Sequence, residues 1–227
     1  MRSTRILWFV VCALGLCAVS LHSAYAKSDD SQAISNESKD SPSTMELLGV
    51  LPDDRFLGSL EAPVVIIEYA SFTCSHCADF STKVFPRIKS EYVDTGKVLY
   101  IFRDFPLDRL SLTAAMLGTC YKGSDKFFSY MKAVFSSFDT FIATRKDLGL
   151  LSNVAKISNI SDKEFKRCTT DESIMDYVIQ KKFLAVSRLD VNSTPAFFIN
   201  GNRYDAAHDF RSISEEIERY IAERSGT

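Results

Sequence analysis

The sequence predicts an α/β fold in which a block of helices interrupts a sheet, and three observations carry that expectation. A β-type run, Val64 to Tyr69, is followed by a helical pattern and a second β-type run, Val98 to Phe102. From about Ser111 to Ser187 every periodic signal is helical. β-type residues then return at Ala196 to Ile199, and the chain closes on a helix with one apolar stripe. The order is β-α-β, helices, β-β-α. Hydrophobic residues make up 46% of the 227 positions and charged residues 25%, which fits a globular protein. The formal charge of −2 lacks the basic excess of a nucleic-acid binder, and nine glycines are too few for a collagen-like repeat.

Taken in order, the chain opens on a targeting pattern. Arg2 and Arg5 precede an apolar run from Ile6 to Val19, and Ala24-Tyr25-Ala26 supplies a small-residue cleavage site. The run is shorter than the roughly 20 residues of a membrane span. Residues 1–26 therefore read as a secretory signal, with an uncleaved tether as the alternative. Removing them takes away Cys12 and Cys17 and leaves Cys74, Cys77, Cys120 and Cys168. An even set in an exported chain points to disulfides in an oxidising compartment. Of the histidines only His76 and His208 remain, too few for a histidine-rich metal site. Residues 27–44 are serine- and acid-rich with almost nothing apolar, and read as a flexible tail.

The run Val64-Val65-Ile66-Ile67-Glu68-Tyr69 is apolar on both alternating faces, as a strand buried on both sides should be. A helix is expected from about Cys74, with Cys77, Phe80, Val84, Ile88 and Tyr92 near helical spacing. Pro86 should kink or split it, and Gly96 should end it. In the helical block the expected segments are Leu112–Cys120, Asp125–Phe135, Lys146–Ile157, Asp162–Cys168 and Ser173–Ser187. Ser161 and Glu164 form a capping-box pattern at the fourth. Phe127, Phe128, Tyr130, Phe135 and Phe138 read as core. Asn200-Gly201 after the returning strand is a hairpin signal, with Arg203-Tyr204 beyond it. Phe210, Ile213, Ile217 and Tyr220 make the stripe of the last helix, and His208 reads as a surface or capping residue near its start.

The chemistry sits at Cys74-Ser75-His76-Cys77. Two cysteines separated by two residues at a strand-to-helix junction can close a small disulfide and reopen it. At a helix N-terminus, unpaired amides and the helix dipole favour the thiolate of Cys74, and a protonated His76 would add to that. The thiolate is the attacking species, and a low thiol pKa also makes a good leaving group. Cys77, one turn further in, should be more buried and act as the resolving thiol. A zinc site lacks a second close pair, and haem attachment would need histidine where Ala78 stands.

The run from Glu68 to Cys77 resembles the active-site segment of DsbA-like thiol–disulfide oxidoreductases. Ser193-Thr194-Pro195-Ala196-Phe197-Phe198-Ile199-Asn200-Gly201 is similar to their second signature. The resemblance spans about residues 45–225. It implies a thioredoxin fold, residues 45–110 and 188–227, with an inserted all-helical domain at 111–187. It further implies Cys74 as nucleophile, Cys77 as resolving cysteine, Pro195 as a cis-proline beside the disulfide, and Thr194 as a substrate-facing residue that tunes redox behaviour. Glu68, six residues before Cys74, matches an acid that moves protons for the resolving cysteine. The other reading is a half-exposed strand-end acid, and Lys97 is a weak candidate partner. Many relatives have proline after the first cysteine, where this chain has Ser75, so oxidant strength is less fixed than fold. Cys120 and Cys168 match a second, non-catalytic disulfide found in some relatives; a regulatory pair or two buried thiols are the alternatives.

The resulting expectation is an exported, periplasmic, monomeric enzyme that introduces disulfides into reduced, unfolded proteins. It would be reoxidised by a DsbB-like membrane quinone reductase and need neither metal nor organic cofactor. The same site run in reverse would serve a reductase or isomerase, and a redox-inert peptide-binding chaperone would not need Cys74 at all.

Overall fold

The computed structural model describes residues 42–226. The expected signal, 1–26, and residues 27–41 of the expected tail lie outside the described residues. The last three tail positions do not belong to a flexible segment. Ser43 and Glu46 form a reciprocal capping box at the start of α1, Thr44–Leu47. The buried Leu47 anchors this short helix in the core, which offsets its ordering cost.

A short strand β1 (Arg55–Leu57), which carries no strong sequence signal, precedes β2 (Val64–Ala70). The helix after β2, here α2, runs over residues 75–93. Its α-helical pieces Ser75–Asp79 and Phe85–Ile88 alternate with π-helical turns Phe80–Val84 and Lys89–Val93. The α-helical run is thus split just before Pro86, as expected, and the wider turn there accommodates the ring and missing N–H. Gly96, at φ 76°, follows the helix, and β3 is Val98–Asp104. The helices then come in order: α3 (Arg109–Thr119), α4 (Ser124–Ser136), α5 (Phe138–Ala143), α6 (Gly149–Ile157), α7 (Asp162–Thr170) and α8 (Glu172–Leu189). Within this block only the short α5 has no counterpart among the expected segments. β4 (Ala196–Ile199) and β5 (Asn202–Tyr204) form the hairpin, and α9 (Phe210–Ser225) ends the chain. Asn200 and Gly201 both take positive φ, 46° and 78°, the geometry that makes Asn-Gly a hairpin signal.

The five strands stand in the order β1-β3-β2-β4-β5, with β2 and β3 parallel and the other pairs antiparallel. Strand alternation divides the core. Val64, Ile66, Tyr100, Phe102, Phe197 and Ile199 face the larger side, with α2, α4 and α9. Ile67, Tyr69, Leu99, Ile101 and Phe198 face the smaller side, where Leu47 and the α8 residues Ala185 and Leu189 pack. Phe127, Phe128, Tyr130 and Phe135 are buried in the same cluster as the larger sheet face, so the inserted helices and the sheet share one core. Phe72 joins them, its ring 5.2 Å from Phe135 and 5.5 Å from Tyr130.

Candidate active site

The site forms at the C-terminal ends of β2 and β3, where the parallel pair delivers its loops. After Ala70 a turn closes with the Cys74 amide donating to the Ser71 carbonyl, 3.1 Å. Cys74 is the N-cap of α2: its backbone is extended (φ −88°, ψ 119°) and its sulfur accepts the Cys77 amide at 3.4 Å. A sulfur thus occupies the place usually held by a serine or aspartate oxygen, where helix amides are otherwise unpaired. Cys77 lies in the first turn and is wholly buried, whereas Cys74 keeps 8% of its surface. Both are free thiols.

Antiparallel pairing of β4 with β2, Tyr69 opposite Ala196, brings the preceding loop to the same place. The Thr194–Pro195 peptide there is cis, and the Cys74 thiol donates to the Thr194 carbonyl at 3.3 Å. The Thr194 hydroxyl is buried. Beside it opens a cleft of about 470 Å³ lined by His76, Phe80, Lys83, Thr194, Pro195 and His208.

The two thiols are electrostatically unequal. Hydrogen bonding from the Cys77 thiol is the largest influence on Cys74; with help from Thr194 and the Cys77 and His76 amides, it outweighs burial and holds Cys74 down to about 5. Burial pushes Cys77 well above the ordinary thiol value, and the nearby charges of Glu68 and Cys74 push in the same direction. His76 acts on Cys74 through its backbone amide, while its side chain is exposed at the cleft.

Glu68 is 2% exposed, which removes the half-exposed reading. Burial pushes its carboxyl up to about 8, against a lowering hydrogen bond from Tyr100 and with a raising effect from Cys74. The partner is the Tyr100 hydroxyl, which donates to Glu68 Oε2. Lys97 is not the partner: it is exposed at the start of β3, with its ammonium 5.6 Å from the Tyr92 ring centre. His208 is neither a cap nor a plain surface residue. Asp209 caps α9, and the His208 ring stands edge-on to Phe197 at 4.8 Å in the cleft wall. Burial lowers its pKa. No local pattern marks His208; only the β4–β5 return carries it to the cleft.

The family described as thioredoxin matches residues 51–219. Among solved structures, Wolbachia pipientis α-DsbA1 is 40% identical, with 80% of this chain and 97% of that one covered and a TM-score of 0.75. Among curated proteins, one from Bacillus anthracis named as a probable disulfide bond formation protein D is 31% identical over 170 residues, 73% of this chain and 77% of that protein. The chain belongs to the DsbA-like branch of the thioredoxin family. A Rickettsia bellii protein named for protein-disulfide oxidoreductase activity is 29% identical over 171 residues, 75% of this chain. The chain spans 66% of that relative's length.

As in DsbA-like folds generally, the helices of this family member are inserted between β3 and β4. Within the insertion, Cys120 and Cys168 are bonded to each other, their Cα atoms 6.2 Å apart across a sequence separation of 48. Cys120 is the C-cap of α3 and Cys168 lies in α7, so the bond ties two helices of the insertion together. Among the described residues no cluster of three or more potential metal ligands occurs.

Proposed function

We propose that the protein is an exported thiol–disulfide oxidoreductase that introduces disulfides into reduced, unfolded proteins. A substrate thiolate attacks Cys74 Sγ of the Cys74–Cys77 disulfide. The electron pair of the broken bond goes to Cys77 Sγ, and a substrate–Cys74 mixed disulfide forms. A second substrate thiolate then attacks the substrate sulfur, expelling Cys74 as a thiolate and leaving the enzyme with two thiols. Pro195 and Thr194 flank the path of an extended substrate, His76 borders it, and Glu68 exchanges the proton of Cys77. Reoxidation of the dithiol falls to a DsbB-like membrane quinone reductase, and the N-terminal pattern of Arg2, Arg5 and Ala24-Tyr25-Ala26 directs export to the periplasm. Among the described residues no helix is long and apolar enough to cross a membrane.

The observation that carries this reading is the placement of Cys74 as the N-cap of α2, its sulfur accepting the Cys77 amide beside the cis Thr194–Pro195 peptide, which holds its pKa down to about 5. A stabilised thiolate favours the reduced form and so makes the disulfide an oxidant. Equilibration of the Cys74–Cys77 pair with glutathione, followed by mass after alkylation, tests it. The expected potential is roughly −120 to −180 mV; a value near roughly −270 mV marks a reductase instead. Failure to oxidise a reduced two-cysteine peptide, with Cys74→Ser as active as the native chain in binding unfolded protein, would leave a peptide-binding chaperone.

A further inference from the structure

Glu68 and Tyr100 form a buried pair behind the active-site thiols. In the β2–β3 register Tyr100 stands opposite Ile66, so its side chain shares the larger sheet face with Ile66 and Glu68. Its ring is fixed between Phe85, 4.3 Å away, and Phe128, 6.0 Å away. Only 1% of Tyr100 and 2% of Glu68 reach solvent. The hydroxyl donates to Glu68 Oε2. No cation shares the site among the described residues: Arg55 pairs with Asp104, Arg103 with Asp54, and Lys97 lies outside. The titratable groups that face the pair are Cys77 and Cys74, from α2. Phe85, Phe128 and the β4 neighbour Phe197 complete the wall with apolar rings.

A carboxyl that gives a proton to Cys77 becomes an unpaired buried charge, which is costly unless something donates to it. We infer that Tyr100 is a positioning residue whose hydroxyl orients the Glu68 carboxyl and stabilises the carboxylate formed when its proton passes to Cys77. This rests on the exchange reaction proposed above. When a thiolate attacks Cys74, the S–S electron pair goes to Cys77 Sγ, the Glu68 proton follows it, and the Tyr100 O–H then donates to the new carboxylate. In the reverse step the carboxylate takes the Cys77 proton as Cys77 attacks the mixed disulfide. Tyr100 keeps its own proton throughout.

The test is the reaction of the full oxidised chain with glutathione, followed in stopped flow from pH 6 to 10. The rate is divided by the glutathione thiolate concentration, so the remaining pH dependence belongs to the protein. A proton donor must be protonated, so the native rate constant falls as pH rises through the Glu68 transition, which burial raises above the ordinary carboxylate range. Tyr100→Phe keeps the ring and removes the donor. It should move that falling limb up by about one pH unit, the equivalent of about tenfold in proton affinity for one charge-assisted hydrogen bond. Glu68→Gln should lack the limb, and adding Tyr100→Phe to it should change nothing further. A Tyr100→Phe profile superimposed on the native one overturns the inference, as does an equal effect in the Glu68→Gln background. Replacing tyrosine by 3-fluorotyrosine throughout keeps the fold and strengthens the phenol as a donor. The limb should then move to lower pH only when Glu68 is present, and an unmoved limb overturns the inference even if Tyr100→Phe does not fold. An oxidised native chain inert to glutathione at every pH removes the proposed function itself, and this inference with it.

Discussion

Two pairs of cysteines share one hydrophobic core, and they differ in almost every respect except chemistry. Cys120 and Cys168 come from two helices and are joined across 48 positions, and the Arg167 guanidinium stands almost equally close to both sulfurs, at 3.4 and 3.5 Å. Cys74 and Cys77 sit on one helical turn as free thiols in opposed environments. Cys74 receives helix amides and meets the Thr194 carbonyl; Cys77 is sealed in the core beside a buried carboxyl. A cysteine pair becomes a redox centre when the fold splits the proton affinities of its members, and a brace when it only fixes their distance.

The largest effect that separates the pairs is on exchange itself. Cys74→Ser should abolish mixed-disulfide formation with a reduced peptide, whereas Cys120→Ala/Cys168→Ala should leave its rate within a few fold; mass spectrometry of the trapped adduct reads both. Equal loss in the two variants would merge the pairs into one functional unit. On stability the roles exchange. Opening the 48-residue separation between Cys120 and Cys168 should cost about 4 kcal/mol in urea unfolding on the chain-entropy estimate, less any strain released.

Glu68 gives a smaller, pH-dependent effect. Its folded pKa, about 8, lies above the ordinary 4.5, so its favourable contribution is complete below 4.5 and is lost as pH rises through 8. Glu68→Gln escapes that loss, and its stability relative to the native chain should grow across this window by at most about 4 kcal/mol, measured by urea unfolding at pH 4.5 and 8.5. A constant difference would show that Glu68 does not titrate in the fold. Smallest is the change in the reduced form alone. The Cys74 pKa falls from 9.0 to about 5 on folding, so the stability it supplies is complete above 9 and is lost as pH falls through 5. The melting temperature of the reduced form relative to the oxidised form should therefore drop by a few degrees between pH 8 and pH 4.5.

What could be read from the sequence follows from the range of each signal. The strand–helix junction, the buried alternation of Val64 to Tyr69 and the Asn200-Gly201 hairpin are local, and the structure has each of them. The position of Glu68 on the larger face also follows from strand alternation, though its burial depends on helices far along the chain. Tyr100 needed the register of β2 against β3, which no spacing reveals. His208 reaches the cleft only through the β4–β5 return. Ser43 and Thr44 read as tail because their order comes from one capping box and the anchoring of Leu47. The three-residue β1 and six-residue α5 are too short to show a period.

The central claim is that the fold makes Cys74 the thiolate and keeps Cys77 protonated. Thiolate absorbance at 240 nm, titrated from pH 3 to 10 on the reduced chain and paired with brief iodoacetamide labelling at pH 6.5, tests it directly. The account predicts one transition near pH 5 and alkylation confined to Cys74. A first transition near the ordinary thiol value of 9.0, or equal labelling of Cys74 and Cys77, would contradict it.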